Sequence, residues 1–167
     1  MSDFLNFHKQ LLLDFSMQLA NELKSDIRFV DTEYEQLSYD LARPQIPNLY
    51  LAALLEQTVE RLYICADSRI IYALCNRMLG GKGCIETQPD SFFTDSELFF
   101  GETFFDTLIQ QYAIFGKGVE LIRTETQEQQ SQVFFTDQVI HLLKSTCLIG
   151  DNKCGPLLIF SADRLQT

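Results

Sequence analysis

The stretch Leu62-Tyr63-Ile64-Cys65-Ala66-Asp67-Ser68-Arg69-Ile70-Ile71-Tyr72-Ala73-Leu74-Cys75-Asn76-Arg77-Met78-Leu79-Gly80-Gly81-Lys82-Gly83 changes its apolar rhythm part-way along. The run from Thr58 to Ala66 has the length and apolar, β-branched content of a buried strand. Either Asp67 or Ser68 can then cap a helix. Beyond that cap Ile70, Ile71, Leu74, Cys75, Met78 and Leu79 recur at spacings of three and four, which predicts one apolar helix face. Gly80-Gly81-Lys82-Gly83 stops the helix.

Outward on the N-terminal side, Leu49 to Leu55 is a second apolar run, separated from the first by the polar Glu56-Gln57. Two such runs at turn distance predict an antiparallel hairpin. Arg43-Pro44-Gln45-Ile46-Pro47 cannot be helix interior, because each proline removes a donor and restricts the residue before it. Ile27 to Asp31 reads as a short strand leading into a polar stretch, Thr32 to Asp40. Phe4, Leu5, Leu11, Leu12, Phe15, Leu19 and Leu23 mark an amphipathic opening helix that Ser2 or Asp3 can cap.

On the C-terminal side, Thr94-Asp95-Ser96-Glu97 has the spacing of a capping box. The helix it starts is expected to reach Ala113 and to bury Leu98, Phe105, Leu108, Ile109 and Tyr112. Gly116 and Gly118 end it. A strand over 119–124, an exposed turn over 125–132 and strands over 133–135, 139–148 and 156–160 follow, with a turn at Gly150-Asp151-Asn152-Lys153. Each half thus opens with a long helix that feeds a strand. The expected class is α+β, a three-layer α/β/α sandwich with pseudo-two-fold halves around a largely antiparallel sheet.

Composition narrows the function. A chain of 167 residues is one domain's worth. Its net charge of −10 and scattered cations argue against a nucleic-acid partner. The longest apolar stretches fall far short of the roughly 20 residues of a membrane span. The N-terminus has no basic segment leading into an apolar one, so it does not read as a secretory signal and a cytoplasmic location is expected. Cys65, Cys75, Cys84, Cys147 and Cys154 lack CxxC spacing and read as reduced structural thiols. With only His8 and His141, neither a metal cluster nor a nucleophile-base pair stands out. No cofactor is expected.

The 62–83 stretch resembles the middle domain of the flagellar motor switch protein FliM, which has a strand, an aspartate-led helix with an Arg-apolar-apolar tail, and a Gly-Gly-x-Gly loop in the same order. Phe93-Thr94-Asp95-Ser96-Glu97 resembles that family's second-half helix start. Leu148-Ile149-Gly150 through Gly155-Pro156-Leu157-Leu158-Ile159-Phe160 resembles its closing hairpin. The resemblance implies a CheC-like fold over residues 1–167 and a non-enzymatic scaffold of the motor switch ring at the cytoplasmic face of the flagellar basal body. Its implied partner is a FliG-type rotor protein, docked through Gly80, Gly81, Lys82 and Gly83, with like copies or FliN-type proteins as further neighbours. As a helix C-cap the same glycines have a purely structural reading, and a cap can also be a contact. The opening helix begins at once and the sequence ends at Thr167, so neither a CheY-binding N-terminal peptide nor a FliN-like C-terminal domain is expected.

Two other readings stay open beside the scaffold. The CheC and CheX phosphatases share the fold and carry Glu and Asn three residues apart on a helix, where the amide can orient a water attacking phosphorylated CheY. Here Asp14, Gln18 and Asn21 have that spacing with glutamine in place of the carboxylate, and in the later helix Glu102 is followed by Phe105. The alternative is that these polar residues are the solvated face opposite Leu11, Phe15 and Leu19. A type III secretion sorting-platform component is the other relative of this kind. Among the phenylalanines Phe92, Phe93, Phe99, Phe100, Phe104 and Phe105, which cannot share one helix face, Phe99, Phe100 and Phe104 are candidates for a self-association patch.

Overall fold

The computed structural model describes residues 2–83, 93–129 and 131–164, with only the backbone of Ser2. Among the described residues four α-helices and six strands follow one another as α1 (Ser2–Leu23), β1 (Ile27–Ser38), α2 (Tyr39–Ala42), a 3-10 turn (Arg43–Gln45), β2 (Tyr50–Glu56), β3 (Glu60–Asp67), α3 (Ser68–Met78), α4 (Asp95–Ile114), β4 (Glu120–Thr126), β5 (Val139–Ile149) and β6 (Asn152–Asp163). The strands form one sheet in the order β1-β5-β6-β3-β2-β4, with every neighbour antiparallel. The class is α+β, as the alternation of helices and hairpins requires.

The strand order carries the pseudo-repeat. Strands 1, 2 and 3 of the first half occupy places mirrored by 4, 5 and 6 of the second, and β3 meets β6 at the centre. The first strand of each half is exchanged: β1 lies on β5, and β4 lies on β2.

One sheet face is covered by α1, α3 and α4, where Leu11, Phe15, Ile64, Ile71, Phe105 and Leu157 belong to a single buried cluster. On the other face α2 and the irregular segment around Val133 and Phe134 cover Tyr63, Cys65, Leu158 and Phe160. The two layers follow from the alternation of apolar side chains along β3 and β6, whose residues point to opposite faces in turn. Cys65, Cys75 and Cys147 are buried free thiols, and Cys154 is buried as well. Cys84 and Phe92 lie outside the described residues.

Four local expectations are corrected. β1 extends to Ser38 rather than ending at Asp31, because its outward positions Asp31, Glu33 and Glu35 are solvated edge residues that make a real strand look polar. A bulge between Val30 and Glu33, with Asp31 at φ +54°, re-phases it. Residues 133–135 form no strand; Val133 and Phe134 are buried as an irregular lid, and Arg61 Nη1 donates to the Val133 carbonyl at 2.8 Å. Glu125 is buried at the end of β4 rather than exposed in a turn, since Tyr63 Oη donates to it at 2.6 Å and Ser131 Oγ at 2.7 Å. The closing hairpin turns on Gly150 and Asp151 alone, and β6 starts at Asn152, with Pro156 beside the bulge where a missing donor is tolerated.

The capping box at α4 is present, with Glu97 N donating to Thr94 Oγ1 at 3.2 Å and Thr94 N to Glu97 Oε1 at 2.8 Å. Gly101 brings α4 onto the sheet: a Cβ there would stand 2.2 Å from Leu51 Cδ2. Leu98 and Ile109 are half-buried, whereas Phe105, Leu108 and Tyr112 are fully buried as expected.

Candidate functional site

α3 forms because Asp67 caps it, accepting from Arg69 N at 2.9 Å, and because Ile70, Ile71 and Leu74 share a buried face. Its end is a complete Schellman motif. Gly80 N donates to the Arg77 carbonyl at 3.1 Å, and Gly81 N donates to that of Asn76 at 2.9 Å. Gly80 takes φ +92°, a backbone state open to glycine and costly to residues with a Cβ. The structural reading of the glycines therefore holds.

Two side chains of the last helical turn then hold the loop that follows. Asn76 Oδ1 accepts from Gly83 N at 2.9 Å, and Arg77 Nη1 donates to the Gly81 carbonyl at 2.9 Å. Through Nη2, Arg77 also donates to the Lys24 carbonyl at 3.2 Å, which ties the loop to the end of α1. A Cβ on Gly81 would lie 2.2 Å from Asn76 Oδ1, so a side chain there would push Asn76 off its bond to Gly83 N. At Gly83 a Cβ would meet Ile149 Cγ2 at 2.9 Å, which seats the loop against the end of β5.

Among the described residues nothing covers the outer side of this turn. Met78 and Leu79 are 52% and 77% exposed, and Gly80 and Lys82 are exposed beside them. Periodicity places both apolar residues on the buried helix face; α3 stops at Met78, and both are exposed instead. Asn76 and Arg77, the two residues that hold the loop, carry no apolar signal. A polar pair in the last turn of a glycine-terminated helix is the only mark they leave in sequence.

The polar face of α1 is assembled differently from a phosphatase pair. Gln10 Nε2 donates to Asp14 at 3.1 Å and Gln18 Nε2 to Glu22 at 3.1 Å, while Gln18 Oε1 accepts a short bond from Gln111 of α4. Gln18 is thus bonded at both ends and fastens α1 to α4. Asn21 is exposed. On α4 Glu102 is exposed and Phe105 is core, so the two helices do not present a matched carboxylate and amide. Among the described residues no group of His, Cys, Asp and Glu could hold a metal ion.

The phenylalanine patch separates. Phe99 is exposed and Phe100 half-buried, their rings edge to face at 6.0 Å, but Phe104 is buried to 2% exposure. Phe104 meets Phe15 of α1 edge-on at 5.0 Å, because α4 packs on both the sheet and the neighbouring α1 and buries two adjacent aromatics on different sides.

His8 is a buried titratable group on the helical face. It is fully buried, with Nε2 3.0 Å from Tyr112 Oη and Nδ1 2.9 Å from the Phe4 carbonyl. Burial holds its pKa down at about 4, against the opposing Phe4 carbonyl. It is a neutral core histidine bridging α1 and α4.

The sequence matches no protein-family model and no curated protein. Solved structures share its fold. It superposes on H. pylori FliM in a FliG-FliM complex with a TM-score of 0.80 at 17% identity, over 94% of this chain and 89% of that one. Thermotoga maritima FliY gives 0.71 at 10% identity, over 90% and 83%. A CheC-like superfamily protein from Shewanella gives 0.53 at 10% identity, over 96% and 98%. The chain therefore has the fold of FliM middle domains and of CheC-like proteins. Among the described residues no helix is long and apolar enough to cross a membrane.

Proposed function

We propose that this chain is a non-enzymatic scaffold domain of the flagellar motor switch, docking a FliG-type rotor protein through the Gly80–Gly83 loop at the cytoplasmic face of the basal body. The observation that carries the reading is a backbone turn held rigid from within and bare on its outer side, on the fold of a FliM that was crystallised with FliG. A turn already fixed by Asn76 and Arg77 loses little conformational freedom on docking, and preorganisation is how a small contact gains affinity. Its role is mechanical: a rigid domain holds the rotor protein and passes on its own reorientation against neighbours, whether like copies or FliN-type proteins. α1 and α4 supply no matched phosphatase pair, which favours the scaffold over the enzyme.

The test is a pull-down with light scattering against the middle domain of a FliG-type protein. The unsubstituted chain forms a complex, and Gly81→Asp, which places a side chain into Asn76 and displaces the loop, loses it. Leu79→Asp, an exposed change that leaves the turn intact, also loses it. Failure of the unsubstituted chain to bind refutes the reading, and phosphorylated CheY is then the substrate to assay, with Asn21→Ala as the control.

A further inference from the structure

Charge is unevenly spread over this acidic molecule. α4 carries Asp95, Glu97, Glu102 and Asp106 with no lysine or arginine, and β1 sets Asp31, Glu33 and Glu35 outward in alternation. The end that bears the glycine loop gathers cations, although Glu22, Asp26 and Asp151 are exposed there as well. Lys24 follows α1, Lys82 lies inside the loop, and Lys153 stands just past the β5–β6 turn. The three segments are bound together: Arg77 of α3 donates to the Lys24 carbonyl, Gly83 packs on Ile149, and Gly150 N donates to the Asp26 carbonyl at 2.8 Å. All three lysines are exposed, and none makes an ion pair among the described residues. Asp26, two residues from Lys24, is engaged with Arg28 at 3.4 Å, and Glu22 accepts from Gln18. Met78 and Leu79 stand exposed in the same neighbourhood.

We infer that this end is a docking surface for an acidic protein partner, an apolar recess rimmed by carboxylates on the rotor protein. The inference rests on the docking reading above and specifies the chemistry of the partner. Leu79 and Met78 would supply the buried area, and the unpaired lysines would meet the rim, where opposite charge speeds encounter and selects orientation. The sign is informative because the rest of the chain would repel a carboxylate-rich surface. A second copy of this chain, with its acidic α4, is the rival occupant.

The experiment titrates the full chain, and its Lys24→Glu/Lys82→Glu variant, against the purified middle domain of a FliG-type protein at low and high salt. Both substituted residues are exposed, so the variant keeps its melting temperature. Its affinity at low salt falls by about tenfold or more, and the gap from the parent narrows at high salt, as expected for rim charges. Leu79→Ala weakens binding at both salts. If the parent binds no rotor protein, the docking reading itself fails. If the parent binds and the charge-reversed variant binds equally at both salts, docking stands and the acidic-partner inference is overturned. Reversal that abolishes self-association in light scattering while leaving rotor binding intact overturns it too, in favour of a second copy.

Discussion

Substituting Gly81 with alanine, alone and together with Asn76→Ala, tests whether the loop is held by the contact described above. Gly81 lacks a positive φ, so alanine fits its backbone, and restricting the unfolded chain should stabilise by about 0.4–1 kcal/mol. Against this stands the 2.2 Å approach of a Cβ to Asn76 Oδ1. That atom is the tip of an exposed side chain and can swing aside, so the cost is not core overpacking but the lost bond to Gly83 N, about 1 kcal/mol. With Asn76 in place the two effects nearly cancel, and Gly81→Ala destabilises by a few tenths of a kcal/mol. In the Asn76→Ala background the bond is already gone, and the same change stabilises by about 0.7 kcal/mol. The double-mutant cycle therefore shows a coupling of about 1 kcal/mol in which the substitutions together cost less than their sum. Urea unfolding of the four proteins measures it, and the helix propensity of alanine at position 76 cancels within the cycle. Strict additivity would refute the claim that Asn76 is what requires glycine at position 81.

Three further outcomes follow from burial and geometry. His8 has a folded pKa of about 4 below an unfolded value near 6.5, so the unfolded chain binds the extra proton between them and stability falls as pH drops through that window. At 1.36 kcal/mol per unit the loss reaches roughly 3 kcal/mol by pH 4, and a His8→Gln variant followed by urea unfolding should lack that part of the pH slope. Phe104→Ala should cost about 3–5 kcal/mol and Phe99→Ala within about 0.5 kcal/mol, read from paired denaturation curves; equal effects would return Phe104 to the surface. Gly101→Ala should destabilise by roughly 1–3 kcal/mol, because Leu51 is 2% exposed and cannot swing away as Asn76 can, and Leu51→Ala in the same chain should recover part of the loss.

Apolar periodicity made the three long helices, the β2–β3 hairpin and the layered class legible, because those elements bury whole faces and leave a repeating mark. It failed where burial is decided by position in the sheet. β1 is an edge strand whose outward carboxylates hid most of its length, and Glu125 is polar in sequence but buried by Tyr63, sixty-two residues away. Val133 and Phe134 have strand-like residue types, yet they cap a face instead of joining a ladder. At the candidate site the glycines announced a turn. The residues that hold it, Asn76 and Arg77, act through side-chain bonds to backbone groups, which no periodicity encodes. Met78 and Leu79 continued the apolar pattern of a buried face, yet both are exposed at the helix end.

The exchanged placement of β1 and β4 has a consequence for how the molecule can be taken apart. Neither half owns a closed set of strands: β2 and β3 would lose β4, and β5 and β6 would lose β1, if the chain were cut between α3 and α4. Each fragment would display a long unpaired edge complementary to the strand its counterpart carries, as in the two parts of a split reporter. The pieces should be insoluble or molten when expressed apart and should reconstitute the domain when expressed together. By the same logic, two intact chains that opened at this junction could trade halves and close as an intertwined dimer.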